Sequence, residues 1–331
     1  MKKIFVAVMA VAALASCAKE EAVNIDRGEA IGFDTFIENS TRAIDPSYNA
    51  NNLIEEFNVW GTVKGNTGNT INLFNGARVY DTTPTYDVAY DCEQEEYWLP
   101  SATYNFVAIA GHNGVTPATG MPATISYTAN GTTDLIYTKT GETITTSSQS
   151  VPTGVNANGC VAFNFNHLLS KVHFAFYNTS ATANTVFQIS NIKVSGQYTS
   201  GTYTIGATTP WAATGAVAVA DAWSFGNATN STTDNAAAAD ITTAFTEASP
   251  MTSNYARLLI PGTQTLNISF TKTQYYDGVK MNEEPVEKEL TYPFAENGAY
   301  VINVELKSGG IIDFSVGSLD GWDDDTSISI P

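Results

Sequence analysis

Short segments in which apolar and polar residues alternate constrain the fold of this chain more than any other feature. In residues 161–165 and 266–270, every second position carries a large apolar side chain. Successive side chains of a strand point to opposite faces of a sheet, so this pattern is typical of strands with one packed and one solvated face. Sustained helical periodicity is almost absent, and we therefore predict an all-β protein.

The strand candidates recur at intervals of roughly 10–20 residues, as in sandwiches of short antiparallel strands. They are residues 30–33, 56–63, 104–110, 161–165, 171–177, 187–194, 257–260, 266–270, 286–292, 300–306 and 311–316. Gly, Asn and Thr punctuate the intervals, and residues 64–69 are interpreted as a turn. Residues 212–248 are expected to contain one short helix or a long loop around residues 223–225.

Two candidates, 161–165 and 171–177, follow each other almost directly and suggest a domain boundary near Asn166 and His167. We predict an N-terminal β-sandwich over residues 29–166 and a C-terminal β-sandwich over residues 167–331. Each would contain about seven strands, as sandwich domains commonly do.

The N-terminus resembles a lipoprotein export signal. Lys2 and Lys3 precede a short apolar stretch, which ends in small residues directly before Cys17. The stretch is too short for a membrane-spanning helix, which needs about 20 residues. We predict that residues 1–16 form a signal peptide, that Cys17 is acylated, and that residues 17–28 form a tether to the outer membrane. An ordinary signal peptide with a chance cysteine is the alternative.

Charge excludes some partners. The net charge of −18 becomes −20 when Lys2 and Lys3 are removed, and 331 − 16 = 315 residues remain. A chain this acidic does not bind nucleic acid by neutralising phosphates. Its content of 43% hydrophobic residues is enough for a substantial core. Cys92 and Cys160 could pair in an oxidising envelope, but we favour two unpaired, partly buried thiols.

Catalytic chemistry is nearly missing from the sequence. His112, His167 and His173 stand outside the usual metalloprotease and hydrolase motifs, and we interpret each as solvated or structural. Acidic residues cluster at 91–96 and 320–325. Neither cluster has EF-hand spacing, and such clusters usually form a solvated rim, although a calcium site at 320–325 is an alternative. No catalytic residue, metal or cofactor is expected.

Several motifs together resemble the fimbrillins, the subunits of the type V pili of Bacteroidota. Each motif is weak alone, but their order and spacing extend over nearly the whole chain. They are residues 31–33, 41–43, 57–61, 97–100, 104–108, 163–174, 258–263, 297–300, 311–314 and Trp322.

This resemblance implies two tandem transthyretin-like Greek-key β-sandwiches and a subunit that polymerises by donor-strand exchange. In fimbrillins a protease cuts after an arginine near the N-terminus and removes the lipidated segment with the first strand. Arg42, which precedes Ala43, is the matching position here, and residues 31–36 would be the strand lost. The C-terminal segment of a neighbouring subunit would then fill the vacated groove.

Two C-terminal segments are candidate donors. One contains Ile311, Ile312, Phe314 and Val316, and the other contains Ile328 and Ile330. The first is interpreted in preference as the last strand of the second sandwich. Only nine residues follow Trp322, which is short for a long donor and leaves open a tip or anchor subunit. The alternative for Arg42 is an exposed loop residue that is never cut.

The resemblance therefore predicts a non-enzymatic fimbrial subunit at the cell surface that serves adhesion or biofilm formation. Its partners would be other fimbrillin subunits, together with an undefined host or bacterial surface ligand. The alternative is a monomeric outer-membrane lipoprotein that binds glycan through exposed Trp98 or Trp322, although core packing is the commoner role of such residues. The sequence does not determine the stalk, tip or anchor role, or the maturation protease.

Overall fold

A computed structural model describes most of the chain. The described residues are 29–37, 54–66, 68–82, 90–111, 120–138, 142–182, 184–231, 233, 236–307, 312–319 and 322. Several predictions fall outside these residues: the signal peptide 1–16, Cys17 and the tether 17–28, Arg42 and Ala43, His112, Ile311, Ile328 and Ile330.

Ten strands lie before residue 168. They are β1 (Phe33–Ile37), β2 (Glu56–Gly65), β3 (Ile71–Asp81), β4 (Tyr90–Cys92), β5 (Ala102–Ala110), β6 (Thr124–Thr128), β7 (Ile136–Thr138), β8 (Glu142–Thr146), β9 (Pro152–Thr153) and β10 (Val161–His167). All except β6 belong to one nine-stranded sheet, whose main path runs β1-β10-β7-β5-β2-β3-β4, with β8 paired to β5 and β9.

Eleven strands follow in the described part of the second half. They are β11 (Ser170–Asn178), β12 (Thr185–Ser195), β13 (Ser200–Thr204), β14 (Trp211–Thr214), β15 (Trp223–Gly226), β16 (Met251–Thr252), β17 (Arg257–Leu259), β18 (Gly262–Tyr276), β19 (Val279–Phe294), β20 (Ala299–Leu306) and β21 (Ile312–Leu319). One sheet has the order β16-β11-β20-β21, with β17 also on β11, and another has the order β15-β12-β18-β19.

Each half encloses its own apolar core. In the first half, the nine-stranded sheet bends round, so that Phe33 of β1 and Phe163 of β10 face Phe74 of β3 and Phe106 of β5. In the second half, two separate sheets pack face to face, and β11 and β20 contribute one layer of the core while β12 and β18 contribute the other. The two cores draw on residues on either side of the proposed boundary at 166–167.

A fourth sheet joins the halves. Strand β6 leaves the first half and pairs along all five of its residues with β13, which also pairs with β14. Beneath it lies a mixed apolar cluster, here called the junction core, to which Trp60 and Tyr137 come from one half and Tyr203 and Leu258 from the other. The halves therefore share both backbone hydrogen bonds and apolar packing.

The predicted all-β fold is confirmed, and most predicted strands are present. The region around residues 223–225 was wrongly expected to be helix or loop, since Trp223–Gly226 is strand β15 and pairs with β12. A single 3-10 turn, Val219–Asp221, precedes it. No helix in the described ranges is long and apolar enough to cross a membrane. The estimate of about seven strands per half was too low, because it missed short strands such as β13 and β14.

We expect Phe174→Ala to lower the free energy of unfolding by about 3–5 kcal/mol, because it removes a ring from a tightly packed core. The Phe174 side chain is fully buried, and its centroid lies 5.0 Å from that of Phe225 in an edge-to-face contact. Urea denaturation measures the change. Val279→Ala is the control, since Val279 is 62% exposed and its truncation should change stability by less than about 0.5 kcal/mol. Equal effects would contradict the proposed core.

Candidate functional site

The first strand fills a gap between two other segments of the first half. On one side β1 pairs in parallel with β10, from Phe33 opposite Val161 to Ile37 opposite Phe165. On the other side, the amide of Ile31 donates to the carbonyl of Glu96 at 2.8 Å, and the amide of Trp98 donates to the carbonyl of Glu29 at 3.1 Å. The backbone of β1 is therefore hydrogen-bonded to β10 on one side, and the residues just before it are hydrogen-bonded to residues 96–98 on the other.

Side-chain packing in the first core also holds the first strand in place. The ring of Phe33 is 5% exposed and contacts Phe74, Phe106 and Phe163 at centroid distances of 5.4, 5.9 and 5.8 Å. Ile31 is also buried in this core. Edge-to-face and offset aromatic pairs contribute about 0.5–1.5 kcal/mol each beyond burial. A strand that left this position would open a groove lined with aromatic rings.

Gly61 makes room for this aromatic cluster. A Cβ atom at position 61 would lie 2.8 Å from a ring carbon of Phe106 and 3.0 Å from one of Phe74. Real Cβ atoms do not approach so closely, so only glycine lets both rings lie over β2. The same two rings form the floor on which Phe33 rests.

A buried hydroxyl pair adds a polar contact to β1. The phenol of Tyr90 donates to the carbonyl of Ile54 at 2.8 Å, so the hydroxyl of Thr35, 2.7 Å away, donates to the phenol oxygen. Burial raises the pKa of Tyr90 to about 12, which keeps the phenol neutral near pH 7. Thr35 thus satisfies a polar group that is otherwise enclosed.

Cys160 lies directly beside the first strand. A Cβ atom built on Gly32 would come within 2.9 Å of the Cys160 sulfur, so the thiol occupies the space that this glycine leaves. Burial raises the pKa of the thiol, and the carboxylates of Asp34 and Glu29 raise it further. Both carboxylates belong to the segment that carries β1, so Cys160 reports on whether that segment is in place.

The last strand lies at a sheet edge on the opposite half. β21 pairs antiparallel with β20 over all eight residues, and no other described strand pairs with it. Ile312, Phe314 and Val316 pack partly on the second core, whereas Asp313 and Ser315 are exposed. Three of the candidate donor residues therefore share one face, and this segment is the last strand of the described second half, as the preferred interpretation held.

The first and last strands carry the same short pattern. Ile31 and Phe33 flank one residue and point into the first core, and Ile312 and Phe314 do the same against the second core. In both segments the intervening and following positions are small or polar. A side chain one position out of register would face the wrong way, so the shared Ile-x-Phe spacing makes one strand a plausible replacement for the other.

Both tryptophans that the alternative hypothesis assigned to glycan binding are buried. Trp98 is 2% exposed and Trp322 is 3% exposed, so neither indole offers a platform to a sugar, and the preferred interpretation of core packing is confirmed. Trp98 packs edge-on against Tyr104 in the first core. Trp322 stacks on His167 where the two halves meet. The signal that favoured this outcome was the position of both residues within or beside strands.

The remaining candidates are structural. His167 and His173 are buried, with 4% and 3% exposure. Cys92 and Cys160 are free and half-buried, as predicted. In the first acidic cluster, the carboxylate of Glu93 accepts a hydrogen bond from the backbone amide of Arg78 at 2.9 Å. Of the second cluster, only Trp322 lies in the described residues.

A cavity of about 570 Å³ lies on the outer face of the joining sheet. Hydroxyl groups of residues such as Ser126, Thr128, Ser200 and Thr214 line it, and its described lining contains no charged side chain. Tyr127 contributes to the rim, but its hydroxyl is engaged by the carbonyl of Thr133. The lining of the cavity therefore indicates less about function than the positions of β1 and β21 do.

These features define the class of the protein: an all-β, two-core protein whose first strand fills a groove and whose last strand lies at an edge. A family model for fimbrillin-like proteins matches residues 41–322. The chain belongs to the fimbrillin-like family. A comparison with curated protein sequences finds no match.

Several solved structures share this fold. A fimbrial protein from Bacteroides vulgatus is 16% identical, with a TM-score of 0.59 over 88% of this chain and 99% of that chain. A candidate cell adhesion protein from Bacteroides ovatus is 14% identical, with a TM-score of 0.50 over 90% of this chain and 99% of that chain. At these identities the likeness establishes the fold alone.

We expect Phe33→Ala to loosen β1 and to lower the free energy of unfolding by about 3–5 kcal/mol, because the ring fills the centre of the groove. Urea denaturation followed by Trp fluorescence measures the change. Ile71→Ala truncates an apolar residue that is 54% exposed, and this control should change stability by less than about 0.5 kcal/mol. A Phe33→Ala protein as stable as the parent would contradict the groove described above.

Proposed function

We propose that this protein is a structural, non-enzymatic subunit of a cell-surface fimbria that polymerises by donor-strand exchange. The observation that carries the proposal is the position of β1, which pairs with β10 and fills an aromatic groove with Phe33, while residues 29–31 just before it are hydrogen-bonded to residues 96–98. The segment is short and begins close to the N-terminus of the chain, so its removal would leave the rest of the fold intact but open.

Proteolysis after Arg42 is the proposed opening step. The protein would be exported as a lipoprotein through Cys17 and held at the outer membrane until a protease cuts the bond between Arg42 and Ala43. The released N-terminal fragment would carry β1 away. Membership of the fimbrillin-like family supports this step, as does the location of β1 on the N-terminal side of Arg42.

An open groove would be strongly unfavourable, which supplies the driving force for assembly. The side chains of Phe74, Phe106 and Phe163 would lose their contact with Phe33, and burial of a phenylalanine is worth about 1.5–3 kcal/mol. The backbone of β10 would also lose its partner and become an exposed strand edge. A donated strand restores both the hydrogen bonds and the apolar contacts.

The proposed donor is β21 of a neighbouring subunit. Its Ile312 and Phe314 repeat the spacing of Ile31 and Phe33, so Phe314 would take the place of Phe33 against Phe74 and Phe106. Ile328 and Ile330 belong to a second candidate donor on the same tail. Donation from the C-terminus of one copy to the groove of the next is head-to-tail, and such a contact extends into a filament because it does not close.

The proposed cellular role follows from this assembly. The polymer would lie at the cell surface as a fimbrium and would serve adhesion or biofilm formation through a host or bacterial surface ligand. Likeness in fold to a fimbrial protein of Bacteroides vulgatus supports a surface appendage.

We expect cleavage after Arg42 to convert the protein from monomers into ladders of polymer. Residues 18–331 are purified without lipid, treated with an arginine-specific protease, sequenced from the N-terminus and run on a native gel. Arg42→Ala should prevent both the new N-terminus at Ala43 and the ladder. A protein that begins at Ala43 and stays monomeric would overturn the polymer proposal.

A peptide competition tests the donor. A synthetic peptide of residues 311–319 should occupy the groove of the cut protein and suppress the ladder, since it offers Ile312 and Phe314 in the required spacing. The same peptide with Phe314→Ala is the matched control and should compete poorly. A peptide of residues 326–330 that competes better than 311–319 would transfer the donor role to Ile328 and Ile330.

We expect the thiol of Cys160 to become more reactive once β1 leaves. Departure of the segment that carries β1 removes the negative charges of Asp34 and Glu29 and exposes the thiol to solvent. All three causes of the raised pKa of Cys160 therefore disappear together. The pKa then falls, the thiolate fraction near neutral pH rises, and labelling of Cys160 accelerates. The pH profile of the labelling rate should shift to lower pH after cleavage.

Cys92 provides the matched control for this measurement. Its pKa is also raised by burial, but the carboxylates near it belong to Glu93, Asp91 and Glu96, which remain after cleavage. In Cys160→Ser protein the Cys92 profile should therefore shift less than the Cys160 profile does in Cys92→Ser protein. Identical shifts would indicate general loosening and would contradict the specific departure of β1.

A further inference from the structure

The end of the last strand is anchored by a buried side chain. Trp322 follows β21 and is 3% exposed in the junction core. Its indole stacks on the imidazole of His167, with ring centroids 3.8 Å apart and planes 8° from parallel. The half-buried strand before it packs on one face only. Trp322 is therefore the most deeply buried of the described residues from Ile312 onward.

Three residues fix the Trp322 anchor. The carboxylate of Asp134 lies 2.5 Å from Nδ1 of His167 and sets the orientation of the imidazole. Lys171, 2% exposed, donates from Nζ to the backbone carbonyl of Trp322 at 3.0 Å. The indole Nε1 has no hydrogen-bond partner among the described residues, so stacking and the Lys171 bond account for the polar and aromatic hold on this residue.

One strand, β10, connects the Trp322 anchor to the groove that β1 fills. His167 is the last residue of β10, and β1 pairs with β10 from Val161 to Phe165. The two assembly sites therefore lie on one short strand, with the groove at its beginning and the anchor at its end. His167 lies two residues beyond Phe165, where the pairing with β1 ends, and β7 pairs with residues 165–167 on the other edge of β10.

We propose that Trp322 is a latch that retains β21 on its own subunit, and that β10 links this latch to the groove. While β1 is in place, β10 is braced, His167 holds the indole, and the strand stays on β20. When β1 departs, the end of β10 loosens, Trp322 is released, and β21 becomes free to enter another subunit. This proposal rests on the proposed function and adds an order of events: opening of the acceptor precedes release of the donor.

Hydrogen exchange in the uncut protein, residues 18–331, tests the latch without protease or polymer. Trp322→Ala should speed exchange of the β21 amides, residues 312–319, by roughly a hundredfold, the factor expected when a buried indole is lost. Exchange in residues 266–270 of β18 serves as the internal reference and should stay unchanged. Trp322→Phe keeps a stacking ring and should remain close to the parent.

The link through β10 is tested by a double-mutant cycle. Phe33→Ala loosens β1 without cutting the chain, and it should speed β21 exchange in the parent background. In the Trp322→Ala background it should add nothing, because the latch is already open. Equal acceleration in both backgrounds would overturn the link, and unchanged β21 exchange in Trp322→Ala would overturn the latch.

A further variant keeps the test decisive. If Trp322→Ala fails to fold, Lys171→Met removes the bond to the Trp322 carbonyl and should still speed β21 exchange selectively; parental exchange in that variant would count against the latch. If strand donation itself fails, the cut protein never forms a ladder on the native gel. The hydrogen-exchange results test the latch independently of that outcome.

Discussion

The contact between Phe33 and the aromatic floor of the first core is the interaction on which the rest of this structure depends. Phe33 joins β3, β5 and β10 through Phe74, Phe106 and Phe163, and these strands lie far apart along the path of the sheet. Without that ring, the sheet would bend around an empty space. This strand contributes much to the core and lies near a chain terminus. It is therefore well suited to exchange, because another ordered segment can take its place.

The parallel pairing of β1 with β10 has a further consequence for the fold. Parallel neighbours need a crossover between them, and here the whole first half of the chain lies between β1 and β10. The pairing of β1 with β10 therefore joins the two ends of the first half of the chain. β10 itself passes directly into the junction core and then into β11 of the second half, so one continuous stretch of chain serves the groove, the joining region and the second core.

The extent to which the sequence predicts this structure differs between its parts. Residues 161–165 and 171–177 were identifiable as strands because their large apolar residues alternate or cluster. Strands β13 and β14 were not, because they are short and their Ser, Gly and Ala residues have weak strand preference. β13 gains its place by pairing with β6, and β14 by pairing with β13. No local sequence pattern predicts that β6 pairs outside its own half. The alternation within a strand indicates which face is buried, but it does not indicate which strand will be its neighbour.

The candidate site shows the same division. Spacing in the sequence nominated Phe314 and Val316, and the resemblance to fimbrillins nominated Arg42 and the first strand. Trp322 was assigned to glycan binding only in the alternative hypothesis, and its position beside strands favoured core packing; the sequence did not indicate that it would stack on His167. Trp322 has acidic neighbours in the sequence, and its burial depends on contacts with His167 and Lys171. These two residues lie about half the chain away in the sequence.

The joining sheet has a mechanical meaning. Domains of one chain hinge freely unless their interface is large and apolar, and here the five-residue pairing of β6 with β13 is reinforced by the tyrosine and tryptophan side chains of the junction core. Each subunit would then behave as a stiff rod. In a fibre of such rods, bending under fluid flow would concentrate at the joints between subunits, so the flexibility of the appendage would be set by how far a donated strand can pivot.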